Sequence, residues 1–543
     1  MIQMIKTLEA FRNIGSNRPI YSTLLLATIA ILGSSLILLL QEGYGPNVTH
    51  DSISYIAMAR SLLVGEGFLN WGGNPEASWP PGYPILLSIF TFSIFDPLQV
   101  AGIINVVLTG LTIFLTGRWL MQRIESRFLV MWSCLVIAFA HPLRLVAYSV
   151  WSEAAFILFV MLSLVWMDKY LMTEKRSSLI MVAVFTACAC MTRYMGITIL
   201  ITILILLTLH PQLTFWNKAK QIGLYVVTSC APMGIWLIRN ILSTGTLTGR
   251  RYPSDVTFFD NVQLMINVLA QWWQPFHHFK TVFQPVSIPI TTGVLLGLAF
   301  LVGCTFILWL KNPAKLRNKH FILVAGIFVF VYLAFILWSI STTKVLQPLN
   351  YRYLAPAYIP LLILIIFALD RFGIYCRERS HSHPLTALRG AIHAIPIVMF
   401  FLLSIFAGYA GYAAALDTKA KMTRGGMGYI SKTWLESETL KASQEYSPAR
   451  IYSNAPYVIY ISHNQPQSAL NTYRYLPPEK DALTERIHNV YVNQKNVYII
   501  WFNVHSENKR FDYDASYLND LHGLELIAKL DDGVILRVDR KLL

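Results

Sequence analysis

The chain has 543 residues, 55% of them hydrophobic and only 13% charged; a typical soluble domain is roughly a quarter charged, so an ordinary soluble globular protein is excluded. Residues 1–415 hold 28 Lys and Arg against 14 Asp and Glu, whereas 416–543 hold 16 and 15, so nearly all of the net charge of +15 belongs to the apolar part. A basic surplus placed there needs no nucleic-acid partner to explain it.

Apolar runs close to the roughly 20 residues that cross a bilayer core of about 30 Å recur through the first 415 residues. In chain order the eleven candidate spans begin with Ile20 to Leu40, Leu98 to Gly117, Phe128 to Val146 and Ala154 to Met167. Two short runs follow, Ser178 to Met191 and Met195 to Leu209, divided by Thr192, Arg193 and Tyr194. They read as two thin spans or as a re-entrant pair, and either reading returns the chain to the same side. The remaining five are Ile222 to Ile238, Ile288 to Leu310, Phe321 to Ile340, Tyr353 to Leu369 and Ala391 to Ala415. The expected fold is a polytopic α-helical membrane protein with about 11 transmembrane helices over 1–415, followed by a small extracytoplasmic α/β domain over 416–543.

Orientation follows from the basic residues of the connections. With a cytoplasmic N-terminus, the inside segments hold 19 Lys and Arg in 79 residues, and the longer outside segments hold 9. This positive-inside bias places the last 128 residues outside, and the membrane is expected to be the plasma (inner) membrane. Lys6, Arg12 and Arg18 precede the first apolar run as they would in a signal peptide. That run is too long for an h-region and ends in Leu39, Leu40 and Gln41 without a cleavage site, so it reads as an uncleaved anchor.

None of the six cysteines falls in 416–543, so the exported tail relies on no disulfide, and Cys188 and Cys190 read as packing residues. Within the tail, Thr433 to Tyr446 reads as a helix that stops before Pro448. Val497 to Val504 and Val534 to Val538 read as strands, with Asp531, Asp532 and Gly533 turning from Leu526–Leu530 into the last.

The chemistry is expected in the outer loops 41–97 and 239–287. The first contains HDSISY at 50–55, GEGF at 65–68 and WPPGYP at 79–84. Ile53, Ile56, Ala57, Ala59, Leu62 and Leu63 are spaced as on a helix lying in the membrane surface, with Asp51 near its N-terminus. Asp51 is then a carboxylate held at the water boundary, or the helix cap. His50, Tyr55 and Tyr83 in the same motifs are candidate substrate contacts. A second outer acid, Glu153, opens the fourth span; it is a partner for Asp51 or a residue that snorkels to the interface. Arg193, Arg239, Arg250, Arg251 and Arg352 run against the scarcity of positive charge on this face. As a set their planar donor forks suit a phosphate. His50, Asp51 and Glu153 leave a divalent cation possible, although residues so far apart make a weak ligand signature. His277 and His278, beside Trp272, Trp273 and Phe276, read as an interfacial aromatic segment in preference to a metal site.

The order of these motifs resembles the GT-C glycosyltransferases, among them the bacterial aminoarabinose transferases of lipid A and homologues of the dolichyl-phosphate-mannose protein mannosyltransferases. The likeness rests on an acid after the first span, PPGYP before the second, a Ser-Glu pair opening the fourth, and an Arg-containing break between short spans. WLIRN at 236–240 and YRYLAP at 351–356 complete it. The resemblance implies transfer of a sugar from a polyprenyl-phosphate donor to a hydroxyl or amine of a lipid, glycan or protein. Asp51 would be the base or acceptor-orienting acid, and Glu153 matches the second acid loosely. Where many relatives carry two adjacent acids, this chain has His50 before Asp51, which weakens the expectation of a metal. An O-antigen ligase or polymerase, and a polytopic transporter, are the alternative classes; the first would place its main outer loop late in the chain, the second its charges at mid-span.

Overall fold

The computed structural model describes residues 19–91, 94–272, 280–312, 319–344, 347–382, 386–447, 450–464, 468–469, 497–503 and 524–538. His277, His278, Trp273 and Phe276 lie outside them. Among the described residues eight helices are long and apolar enough to cross a membrane, and a ninth crossing results if Arg127–Phe139 and His141–Tyr148, bent by 48°, form one span. These nine coincide with the nine stronger runs of the sequence. The expected eleven is not reached, because Arg176–Thr192 and Ile197–Thr208 are apolar but too short.

Helix α1 (Pro19–Leu40) packs against α4 (Pro97–Met121), and between them in sequence lie α2 (His50–Leu63) and α3 (Gly82–Thr91). The bent pair α5 (Arg127–Phe139) and α6 (His141–Tyr148) leads to α7 (Glu153–Thr173), which lies against α8 (Arg176–Thr192). After α9 (Ile197–Thr208) come α10 (Phe215–Thr244), α11 (Phe258–Trp272), α12 (Lys280–Lys311), α13 (His320–Thr342), α14 (Tyr351–Ser382) and α15 (Thr386–Thr423). A continuous apolar core runs through α5, α7, α13 and α14, with Phe156, Leu164, Phe328 and Ile363 fully buried. By contrast α10, α12 and α15 leave most of their surface outward, as helices facing lipid do.

Helix α2 departs from the expected surface helix. It forms where expected, but every residue from Asp51 to Ala59 is buried. Spans cover one side of it, and the C-terminal region covers the other. Ile430 and Tyr460 of that region join Val48, Ile53, Ile56 and Tyr83 in one apolar cluster.

The last long helix runs on to Thr423, and the sheet-bearing region follows it. Its five strands are β1 (Arg450–Ser453), β2 (Ser468–Ala469), β3 (Val497–Phe502), β4 (Leu524–Leu530) and β5 (Gly533–Val538), in the order β2-β1-β3-β5-β4. β1 pairs in parallel with β2 and β3, whereas β5 runs antiparallel to both β3 and β4. The expected hairpin at Asp531–Gly533 is present. The single helix expected over Thr433–Tyr446 is split into Lys432–Leu435, Glu438–Ser443 and a 3-10 turn at Gln444–Tyr446. Ser437 causes the split: its Oγ accepts from Leu440 N at 3.0 Å and starts a new helix.

Candidate functional site

Three helix starts converge at one end of the bundle. Asp51 lies in the first turn of α2, Glu153 is the first residue of α7, and Arg352 lies in the first turn of α14. Acids are favoured at such positions by the helix dipole and a cation is not, so the two carboxylates compensate Arg352 for its placement.

The groups touch. Arg352 Nη1 is 2.5 Å from Asp51 Oδ2, and its Nε donates to Glu153 Oε1. The same Glu153 oxygen receives Arg193 Nη1 at 2.7 Å. Arg193 also donates to Ser152 Oγ at 3.2 Å, and that hydroxyl meets Tyr55 OH at 3.0 Å. Trp151 forms the floor, with the Arg352 guanidinium 3.9 Å from its ring centroid and its Nε1 donating to Thr49 Oγ1 at 2.7 Å. Two acids and two guanidiniums thus make a compact, formally neutral cluster. Glu153 is 1% exposed, which overrules snorkelling. Its Oε2 is buried without a hydrogen-bond partner among the described residues.

Asp51 is not the helix cap. Thr49 precedes the helix, and its backbone N donates to Ser52 Oγ at 2.9 Å. Burial alone would raise the Asp51 pKa, but the Arg352 guanidinium and the neighbouring His50 outweigh it and hold the carboxyl well below the usual range. His50 Nδ1 stands 3.7 Å from Asp51 Oδ1.

The other expected site residues are placed differently. Tyr55 and Tyr83 are fully buried, edge to face at 5.2 Å, and the Tyr83 hydroxyl donates to Asn105 Oδ1 at 3.3 Å. They brace α2 from behind and present no surface to a substrate. Arg239 donates through Nη2 to Phe68 O at 3.0 Å and through Nη1 to Glu76 O, with its guanidinium 4.8 Å from the Trp236 ring, and so pins the first outer loop to the end of α10. Beside it Tyr194 OH donates to Ala77 O at 2.7 Å and accepts from Trp236 Nε1 at 3.0 Å.

The loop after α10 reaches the same turn. Gly249 has φ +77°, and a Cβ there would lie 2.6 Å from Ser78 Oγ, so glycine permits the approach. Arg250 and Arg251 follow it, exposed and without an ion pair among the described residues. The possible divalent site does not assemble: no three His, Cys, Asp or Glu side chains converge among the described residues. Between Asp51 and Glu153, where a cation would have to sit, the Arg352 guanidinium is placed instead.

Sequence reasoning named the four charged members of the cluster and Tyr55, noted Ser152 only within the Ser-Glu pair, and missed Trp151. Trp151 and Ser152, directly before Glu153, offered the only signal, a polar residue and an indole packed into the start of an apolar run.

Over most of its length the chain shares its fold with solved structures of ArnT. ArnT from Cupriavidus metallidurans superposes with a TM-score of 0.58 when bound to undecaprenyl phosphate and 0.56 in the apo state. Both superpositions cover 96% of this chain and 98% of the ArnT chain, at 14% identity. AglB from Archaeoglobus fulgidus, an archaeal oligosaccharyltransferase in complex with an inhibitory peptide and a dolichol-phosphate, gives 0.49 at 12% identity, over 88% of this chain and 69% of its own. No protein-family model and no curated protein matches the sequence.

Proposed function

We propose that this protein is a glycosyltransferase of the plasma (inner) membrane. It transfers a hexosyl or pentosyl unit from a polyprenyl-phosphate donor to a hydroxyl or amine of a lipid, glycan or protein on the outer face. The observation that carries this reading is the Asp51–Arg352–Glu153–Arg193 cluster, built from three helix starts and the break at Arg193 on a fold shared with a protein that binds undecaprenyl phosphate.

In the reaction an acceptor oxygen or nitrogen attacks the anomeric carbon as the bond from that carbon to the phosphate oxygen breaks. The electron pair leaves with the polyprenyl phosphate, and Asp51 orients the acceptor and takes its proton. Arg352 keeps Asp51 anionic, so the acid is ready at neutral pH. Glu153, in contact with both guanidiniums, balances the charge of Arg193 and Arg352 beside it. His50 borders the same space.

The leaving phosphate needs charge stabilisation more than a proton. Arg193 and Arg352 are already compensated by the two acids, so this demand falls first on Arg250 and Arg251, with Arg239 holding the loop beneath them. The donor's isoprenoid tail would remain in the bilayer. The N-terminus is cytoplasmic, and residues 416–543, the end of the last long helix and the sheet-bearing region after it, are extracytoplasmic. The decisive experiment is reconstitution of the purified protein with undecaprenyl-phosphate sugars and extracted envelope acceptors: transfer that disappears in Asp51→Asn supports the reading, and no transfer from any such donor rejects it.

A further inference from the structure

The residues that hold the start of α2 come from both ends of the chain. On one side Asn47 pairs with Ser149: Asn47 N donates to Tyr148 O at 3.0 Å, Val150 N to Asn47 O at 2.9 Å, and Asn47 Nδ2 to Ser149 Oγ at 2.9 Å. On the other side Val48 O accepts Tyr429 N at 2.9 Å, from the segment that follows the last long helix. That contact requires glycine next door. Gly428 has φ +74°, and a Cβ there would lie 2.1 Å from Val48 O.

One residue beyond this pairing the chain enters α2, and the next side chain from the C-terminal region meets it. Tyr457, in the first turn of the helix Pro456–His463, packs against the His50 imidazole with centroids 4.7 Å apart and planes at 73°. Trp71 at 4.9 Å and Tyr429 at 5.6 Å wedge the Tyr457 ring in place. Further along α2, Arg60 holds Asp96 at 2.8 Å and stands 5.5 Å from the Tyr460 ring. The imidazole is 30% exposed and has Asp51 on one side and Tyr457 on another.

We infer that Tyr457 is a positioning residue for the candidate base: its ring fixes the His50 imidazole, and through it the Asp51 carboxylate, so the C-terminal region is part of the catalytic apparatus. The inference rests on the glycosyltransferase reading. It predicts that the ring carries the effect on His50, because their contact is between ring planes. It also predicts an effect on turnover, since a small displacement of the base leaves donor binding intact while spoiling alignment.

The test uses the full-length protein with two variants, Tyr457→Ala and Tyr457→Phe. The first readout needs no activity: the rate at which diethyl pyrocarbonate modifies His50, followed by peptide mass spectrometry. Removing the ring should speed His50 modification several-fold in Tyr457→Ala and leave it unchanged in Tyr457→Phe. The second readout is transfer. Tyr457→Ala should lose about tenfold to a hundredfold in kcat, with undecaprenyl phosphate binding within about twofold of wild type, and Tyr457→Phe should retain wild-type turnover. Equal modification rates in all three proteins, or faster modification with undiminished turnover, would overturn the inference. A wild type that transfers nothing rejects the glycosyltransferase reading instead, and the two failures are thereby told apart.

Discussion

Arg352 faces Asp51 at 2.5 Å with one guanidinium nitrogen while another is committed to Glu153, so a single side chain from α14 joins acids that are 102 positions apart in the sequence. The two acids differ in what surrounds them. Asp51 is buried beside the partly exposed His50 and meets one guanidinium, whereas Glu153 is 1% exposed and shared by two guanidiniums. Chemistry is therefore expected of the first and charge compensation of the second, and the following variants separate these roles.

Asp51→Asn keeps the shape of the side chain and removes its charge. Thr49, not Asp51, caps the helix, so the variant should insert and fold normally. If Asp51 takes the acceptor's proton, transfer should fall by about a hundredfold or more. A radiolabelled-sugar transfer assay, run beside thermal unfolding of the same preparation, checks both halves. Near-normal transfer would remove the acid from the mechanism.

Glu153→Gln should behave in the opposite way. It leaves Arg193 and Arg352 facing each other with one carboxylate fewer. Breaking a buried ion pair from one side costs roughly 3 to 5 kcal/mol in typical cases. The variant should be measurably less stable in detergent than Asp51→Asn, whose partner Arg352 still holds Glu153. Equal stability of the two variants would mean that the cluster shares its burden evenly.

Arg352→Lys keeps one positive charge but loses the planar fork that reaches two carboxylates at once. A single ammonium cannot reproduce both contacts and the stacking on Trp151, which the guanidinium makes at 3.9 Å. Turnover should fall by about tenfold or more, with a smaller change in donor affinity, because alignment of the base is what is lost. Unimpaired turnover by the lysine variant would show that charge alone suffices at this position.

The Asp51 carboxyl titrates well below the usual carboxylate range because Arg352 and His50 outweigh its burial. Its pKa is thus lower folded than unfolded, so the folded state binds fewer protons. The stabilisation it contributes is fully present above about pH 4 and is lost as the pH falls below it. Between pH 5 and 8 the acid stays ionised, and the acid limb of kcat/KM that belongs to Asp51 should lie below pH 4. A pH–rate profile checks this directly. An acid limb near neutrality that vanishes in Asp51→Asn would contradict the pairing with Arg352.

How far the sequence carried depended on whether a feature is local. The long spans, the break at Arg193, the start of α2 and the acid at the head of α7 all follow from hydropathy, helix signals and the scarcity of outer charge. The burial of α2 did not, because what covers it comes from Ile430, Tyr457 and Tyr460, almost four hundred residues away. Tyr55 and Tyr83 were misjudged for the same reason: a tyrosine in a polar outer loop looks available until the elements that bury it are known. Arg239 read as a phosphate ligand because its charge was visible and the carbonyls of Phe68 and Glu76 that receive it were not. Ser437 shows the converse, a strong local cap signal passed over inside a helical pattern.

Orientation is testable without substrate. A reporter fused after Leu543 should be active only in an oxidising, extracytoplasmic compartment, and one inserted at Lys175, between α7 and α8, only in the cytoplasm. The two short helices α8 and α9 return the chain to one side whether they cross or re-enter, so this outcome does not depend on their depth. A cytoplasmic C-terminus would place the Asp51–Arg352 cluster on the wrong face for an outer-leaflet acceptor.

The arginines should divide into two groups in their response to the donor. Arg250 and Arg251 are exposed and follow the close approach of Gly249 to Ser78, so they can meet a lipid phosphate at the membrane surface with no ion-pair partner among the described residues to displace. Arg239 is already engaged with two backbone carbonyls of the first outer loop. Replacing Arg250 and Arg251 together by Gln should weaken undecaprenyl phosphate binding, more so at low ionic strength, because unpaired surface charges are the ones that salt screens. Arg239→Lys keeps a cation and loses the fork that spans Phe68 O and Glu76 O. It should loosen the 68–78 segment, seen as faster amide exchange there, with binding of the lipid phosphate reduced less than in the double variant. Lipid binding by native-state titration and hydrogen exchange on the same three proteins decide the matter. If the double variant binds the lipid phosphate normally and Arg239→Lys does not, the anion site lies at Arg239, and its contacts with the loop carbonyls are given up when the donor arrives.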